Sequence, residues 1–200
     1  MHYIVEPFLA GVDEAGRGPL AGPVSVGVVV FLKDFDTRIF EDVRDSKQLS
    51  EKKRVYFLEC MDALVAEGAL NYAVAFSSSK SVDTKGIVFA IRDAMARSID
   101  ELRLDAEKTT ILLDGSLQAP EVFKKQRTII KGDETELPIT LAGIAAKVVR
   151  DREMVRLSKE FPEYGFEKHK GYGTKHHQEM LKKHGISAIH RETFIDLTKY

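Results

Sequence analysis

Two adjacent carboxylates, Asp13 and Glu14, close an apolar run from Phe8 to Val12 that reads as a strand. A glycine-rich turn follows, Gly16-Arg17-Gly18-Pro19, and then a second apolar run from Val24 to Phe31. Alternation along a strand sends neighbouring side chains to opposite faces, but a turn at the strand end lets both acids face one site. Buried carboxylates are costly unless paired or bound to a metal. Small residues at Gly16 and Gly18 suit a left-handed backbone, a tight turn, or close approach to a ligand. Taken alone, the pair also fits a hairpin with a solvated acidic turn. Two further strand ends repeat the pattern: Thr109 to Asp114 runs into glycine, and Gln126 to Lys131 is closed by Gly132-Asp133. Single Asp-Gly pairs are ordinary turn chemistry. Three acidic strand ends in an alternating α/β chain predict acids that converge where open α/β sheets gather ligands.

The elements between these ends must position them. Ser50 is a candidate N-cap for a helix carrying Val55, Leu58, Met61, Ala63 and Leu64, stopped by Gly68. Ser46 and Lys47 then lie in the loop before a helix start, where backbone amides and a lysine can meet a phosphate. Residues 69–76 alternate as a third strand, and a helix is expected from about Val82 to Leu104. A long helix is expected from Pro138 to Phe161, small and apolar enough at its start to pack closely on the sheet. Asp151, in its charged second half, reads as surface or salt-bridged. Beyond it, FPEYGFEKHKGYGTKHHQEMLKKHG interleaves aromatics with basic residues, which suits a nucleic-acid contact surface. The histidines of this stretch fit no common structural zinc spacing and have no second cysteine beside them.

Composition bounds the class. Two hundred residues, 44% apolar and 30% charged, fit one large soluble domain or a domain with a small appendage. The single cysteine, Cys60, excludes an internal disulfide and suits a reducing compartment. No run approaches a membrane span and residues 1–8 lack a signal-peptide pattern, so a cytoplasmic protein is expected. The net charge of −1 hides an asymmetry: Lys147 to Tyr200 carries +4 and the remainder −5. An acidic body with a basic, histidine-bearing tail suits an anionic partner held beside carboxylates, although charge alone favours an ordinary solvated surface.

In order, the segments GVDEAGRGPLAGPV, DSKQLSEKKR, LLDG, KGD, AAKVVRDREM, GYGTKHH and HGISAIHRETF make the chain similar to ribonuclease HII from about Leu9 to Phe194. The resemblance implies the ribonuclease H-like α/β fold: a mixed five-stranded sheet flanked by helices, with a helical C-terminal part. It implies a catalytic domain over residues 1–160 and a C-terminal helical substrate-binding part over 161–200, packed on the same domain. The implied activity is cleavage of the RNA strand of RNA–DNA hybrids and of single ribonucleotides embedded in duplex DNA. The products carry 5′-phosphate and 3′-hydroxyl ends, the cofactor is Mn²⁺ or Mg²⁺, and a monomer is expected. The metal-binding acids fall on Asp13, Glu14, Asp114 and Asp133, with Asp13 and Asp114 central. Carboxylates are the donors hard cations prefer, and two cations about 4 Å apart can serve both the attacking and leaving oxygens of a phosphodiester. Gly16, Arg17 and Gly18 match the turn that reads the ribose 2′-hydroxyl, and Tyr172 matches the ring that stacks on the neighbouring deoxyribose. Ser46 and Lys47 match positions that contact backbone phosphates.

The GRG turn argues against the sister ribonuclease HIII, whose turn resembles GTG. One departure is Ala142-Gly143-Ile144, where the family usually has ASI; Gly143 costs roughly 1 kcal/mol of helix propensity and is expected to affect packing near Asp133. No clamp-binding tail is expected after HRETF. A resolvase- or transposase-like enzyme would gather similar acids without needing both GRG and GYG. A hybrid-binding module without activity would have lost a metal acid, and none is lost here.

Overall fold

The computed structural model describes residues 8–44, 49–196 and 198. Five strands form one sheet: β1 (Phe8–Ala15), β2 (Val24–Phe31), β3 (Leu70–Ser77), β4 (Thr109–Asp114) and β5 (Gln126–Ile129), in the order β3-β2-β1-β4-β5. β1 and β3 each run antiparallel to β2, whereas β1, β4 and β5 run parallel to one another. Antiparallel neighbours can be joined by short turns, while parallel ones require crossovers; β1 reaches β4 by way of β2, β3 and three helices, and β4 reaches β5 through residues 115–125 without a helix. The helices are α1 (Glu51–Ala66), α2 (Ser79–Lys85), α3 (Ile87–Glu101), α4 (Gly132–Thr135) and α5 (Leu137–Glu160). Two short helices follow, α6 (Phe166–His169) and α7 (Lys175–His184). This is the mixed five-stranded α/β arrangement expected.

β2 is buried along its whole length, and its alternation sorts the core into two layers. Val24, Val26, Val28 and Val30 pack with Ala90, Ile91, Ala94, Met95 and Ile99 of α3. On the other face Val29 and Phe31 pack with Phe57, Leu58 and Met61 of α1 and with Leu141, Ala142 and Ala145 of α5. α5 presses directly on the backbone of β1 and β2. A Cβ at Gly11 would sit 2.1 Å from the Pro138 carbonyl carbon, and one at Gly27 would sit 2.2 Å from the Ala142 carbonyl oxygen. The close packing expected of the α5 start therefore depends on two strand glycines.

Several boundaries differ from the sequence reading. Strand β1 runs through both acids to Ala15, because its ladder with β2 continues to Ala15 and Ser25. The helix expected over 82–104 is two helices, broken at Gly86, whose φ of +84° a helix cannot accommodate. β5 stops at Ile129; Lys131 is left-handed at φ 56° and launches α4 at Gly132. Ser50 does cap α1, accepting from the Lys53 N–H at 3.2 Å. A third apolar cluster, Ala21, Met154, Leu157, Tyr164, Phe166, Leu181 and Ile195, joins the end of α5 to the last forty residues. Asp83 of α2 holds the same segment from the other side, accepting from the N–H groups of Glu192 and Thr193 at 3.0 and 3.1 Å.

Candidate active site

Parallel pairing brings the acidic strand ends together. Val12 pairs with Leu113, so Asp13 and Asp114 follow side by side on β1 and β4. β5 lies next to β4, and the left-handed turn after it returns Asp133, whose N–H points at Asp114 Oδ1 at 3.5 Å. Asp13 shares the face of Gly11, beneath α5: its Oδ1 accepts from the Glu14 N–H at 2.7 Å, and its Oδ2 occupies the space a Cβ at Gly143 would need, 2.3 Å away. Gly143 thus bears on Asp13 rather than on the packing near Asp133. Glu14 follows on the alternate face, yet lines the same groove as Asp13 and Asp133 and meets the Arg17 guanidinium at 3.1 Å.

Burial, then the neighbouring charges of Glu14, Asp114 and Asp133, hold the Asp13 carboxyl well above the usual range, with the Glu14 N–H opposing them only in part. A divalent cation among these oxygens would remove that repulsion, and an all-carboxylate set is the donor chemistry of Mg²⁺ or Mn²⁺. Among the described residues no three such side chains are yet gathered closely enough to hold one ion.

Sequence reasoning missed two buried arginines that build the rest of the site. Arg191, fully buried, donates to the carbonyls of Gly16 (2.7 Å), Arg17 (3.0 Å) and Gly22 (3.0 Å). Arg150, also fully buried, donates to Pro23 (2.8 Å), Ala21 (3.2 Å) and Lys170 (3.0 Å). Burial and the adjacent Arg150 guanidinium push Arg191 down to about 10, so it remains charged at neutral pH. Together they clamp the Gly16-Arg17-Gly18 turn to the Gly171-Tyr172-Gly173 turn. Gly16 is required here twice over: its φ is +87°, and a Cβ would lie 2.0 Å from Arg150 Nε. Main-chain bonds add to the clamp, from Leu20 N–H to Gly171 O (2.9 Å) and from Arg191 N–H to Leu20 O (2.8 Å).

The resulting groove is lined by Asp13, Glu14, Gly16, Arg17, Gly18, Asp133 and the half-exposed ring of Tyr172. Two cations not anticipated also face it, Arg54 of α1 and Lys147 of α5. Lys147 stands 5.8 Å from the Tyr172 ring centroid and is bridged to Asp151 at 2.7 Å, so Asp151 is salt-bridged but buried rather than on the surface. Ser46 and Lys47 lie outside the described residues. The available clues to the missed residues were the basic excess after Lys147 and the arginines standing within AAKVVRDREM and HRETF.

The chain matches the family model described as ribonuclease HII over residues 10–197. It is 46% identical to the ribonuclease HII of Endomicrobium trichonymphae over 186 residues, covering 93% of this chain and 84% of that one. To the ribonuclease HII of Caldicellulosiruptor bescii it is 45% identical over 188 residues, covering 94% and 86%. Among solved structures, the complex of PCNA and RNase HII from Archaeoglobus fulgidus aligns with a TM-score of 0.75 at 25% identity, covering 96% of this chain and 100% of that one. No described helix is long and apolar enough to cross a membrane. With acids gathered at parallel strand ends and a family match spanning nearly its whole length, the chain belongs to the ribonuclease HII family, metal-dependent endoribonucleases that cleave the RNA strand of RNA–DNA hybrids.

Proposed function

We propose that this protein cuts on the 5′ side of single ribonucleotides embedded in duplex DNA, as well as within RNA–DNA hybrids, leaving 5′-phosphate and 3′-hydroxyl ends. Asp13, Glu14, Asp114 and Asp133 would hold two divalent cations, Mg²⁺ or Mn²⁺, with Asp13 and Asp114 as the central ligands. When bound, such cations supply an activated water and neutralise charge on both sides of the scissile phosphorus. Gly16, Arg17 and Gly18 read the 2′-hydroxyl through their main chain, and Tyr172 stacks on the deoxyribose beyond it. Arg54 and Lys147 hold the phosphates on either side, with Ser46 and Lys47 as further backbone contacts. Residues 161–200 form the substrate-binding part on the catalytic domain of residues 1–160. The protein works as a monomer, and its lone thiol suits the cytoplasm.

The observation that carries this reading is the juxtaposition of Asp13, Glu14 and Asp133, the GRG turn and the Tyr172 ring in one groove. Gly18 adds to it: a Cβ there would meet nothing within 4 Å, so the protein itself has no need of a glycine at that position. A glycine beside open space leaves room for a ligand to come close. Three duplexes of one sequence test the proposal: all DNA, DNA with one ribonucleotide, and RNA–DNA hybrid. Cutting of the latter two, with the single-ribonucleotide product ending 5′ of the ribose, is the expected outcome. An enzyme that cleaves the hybrid but leaves the single-ribonucleotide duplex whole refutes the junction-reading role of Gly16, Arg17, Gly18 and Tyr172.

A further inference from the structure

Three histidines, His169, His177 and His190, are buried behind the Tyr172 turn. Their ring nitrogens are all engaged. The Ser187 N–H donates to His190 Nδ1 at 2.8 Å, so that nitrogen carries no proton and the proton of the neutral ring sits on Nε2. His190 Nε2 faces His177 Nε2 at 3.0 Å, so His190 donates and His177 accepts. The His177 proton must then be on Nδ1, where it meets the Tyr172 carbonyl at 2.9 Å. His169 stacks on His177 with ring centroids 4.5 Å apart and takes the Gly171 N–H on Nδ1 at 3.3 Å, leaving its Nε2 proton for the Tyr164 carbonyl at 2.9 Å. One proton arrangement satisfies all these contacts, and it leaves no lone pair for a metal.

We propose that His177, its tautomer set by His190 and Ser187, is a positioning residue that fixes the Tyr172 main chain, and with it the ring against the substrate sugar. The inference rests on the sugar-stacking role proposed for Tyr172. It assigns residues 187–190 a part in substrate selection although none of them lines the groove. Burial keeps His177 and His190 down at about 4, which agrees with two neutral rings at neutral pH. A His177 imidazolium would set two N–H groups against each other across 3.0 Å, and a His190 imidazolium would do the same against the Ser187 N–H at 2.8 Å.

Long-range ¹H–¹⁵N correlation spectra of the full-length, histidine-labelled protein at pH 7 test the wiring directly. The expected result is a proton on Nδ1 of His177 and on Nε2 of His169 and His190; a His177 proton on Nε2 overturns the proposal. Two same-purpose substitutions test its consequence. An asparagine amide overlaps the Nδ1 position and can still donate to Tyr172, whereas a glutamine amide overlaps Nε2 and keeps only the link to His190. His177→Asn should therefore keep the ratio of kcat/KM on the single-ribonucleotide duplex to that on a long hybrid within about twofold of wild type, and His177→Gln should lower it about tenfold, the lower end of one lost base-stacking contact. Equal ratios for the two variants, or the reverse order, overturn the proposal even if the spectra agree. Tyr172→Ala is the control for the underlying reading: a lowered ratio there with an unmoved His177→Gln ratio defeats the relay alone, and an unmoved Tyr172→Ala ratio defeats the Tyr172 role and the relay with it.

Discussion

Replacing Arg191 by lysine keeps a buried positive charge and removes the fork that holds the ribose-reading turn. The guanidinium satisfies three carbonyls, of Gly16, Arg17 and Gly22, at a site with no exposure to water. A single ammonium nitrogen cannot span all three, because its donors leave one atom rather than a planar fork. Each buried carbonyl left without a donor costs about 1–3 kcal/mol. With one contact regained by lysine and two lost, the gross cost is roughly 2–6 kcal/mol. Relaxation of the turn toward water recovers part of this, which leaves a net loss of about 2–3 kcal/mol against a total stability of about 5–15 kcal/mol. Arg191→Lys should therefore remain folded, with a lower urea midpoint and an unchanged slope. The turn it releases carries Gly16 and Gly18, so cleavage of the single-ribonucleotide duplex should fall at least tenfold more than cleavage of a long hybrid, about 1.4 kcal/mol of selective transition-state loss. A variant that matches wild type in both urea midpoint and substrate ratio would show that the clamp is dispensable and refute the reasoning.

Other expectations follow from the site and the histidines. Asp114→Asn keeps the shape of a carboxylate but not its charge, so a folded variant should lose on the order of a thousandfold in rate; EDTA should silence the wild type, and added Mg²⁺ or Mn²⁺ should restore it. Lys47→Ala should weaken hybrid binding and reduce the slope of log affinity against log salt by about one, as measured by titration across salt concentrations. The neutral His177–His190 pair, surrounded by His169, His176 and the Tyr164 ring, makes stability pH-dependent. Both folded values lie near 4, below the ordinary 6.5, so the unfolded chain takes up more protons between these limits. The pair's contribution should be fully present above about 6.5 and be lost as pH falls to about 4; replacing both histidines should reduce the slope of stability against pH across that window in urea melts.

Much of the architecture was legible because it depends on local pattern. An apolar run after a glycine-proline turn marked β2, Ser50 and Gly68 bracketed α1, and an acid followed by glycine marked the end of β4. Where the reading slipped, the deciding interaction was not local. β1 extends past Asp13 because β2 offers backbone partners as far as Ser25. The helix pattern over 82–104 stayed periodic, yet Gly86 takes a positive φ that splits it.

The residue types of the site were likewise readable, since carboxylates at strand ends and glycines in a turn keep their chemistry in any fold. What holds them was not. Arg150 and Arg191 look like surface residues in a charged stretch, and only tertiary structure buries them and aims them at carbonyls about 130 and 170 residues earlier in the chain. Gly143 illustrates the same limit. Sequence comparison marked it as a departure, but that its missing side chain leaves room for the Asp13 carboxylate depends on how helix α5 lies across strand β1. Sequence alone determined which groups could bind a cation or approach a ribose, because that is a property of side-chain chemistry. Tertiary structure decided their distances and their burial, because hydrogen bonds and packing between segments far apart in the chain set both.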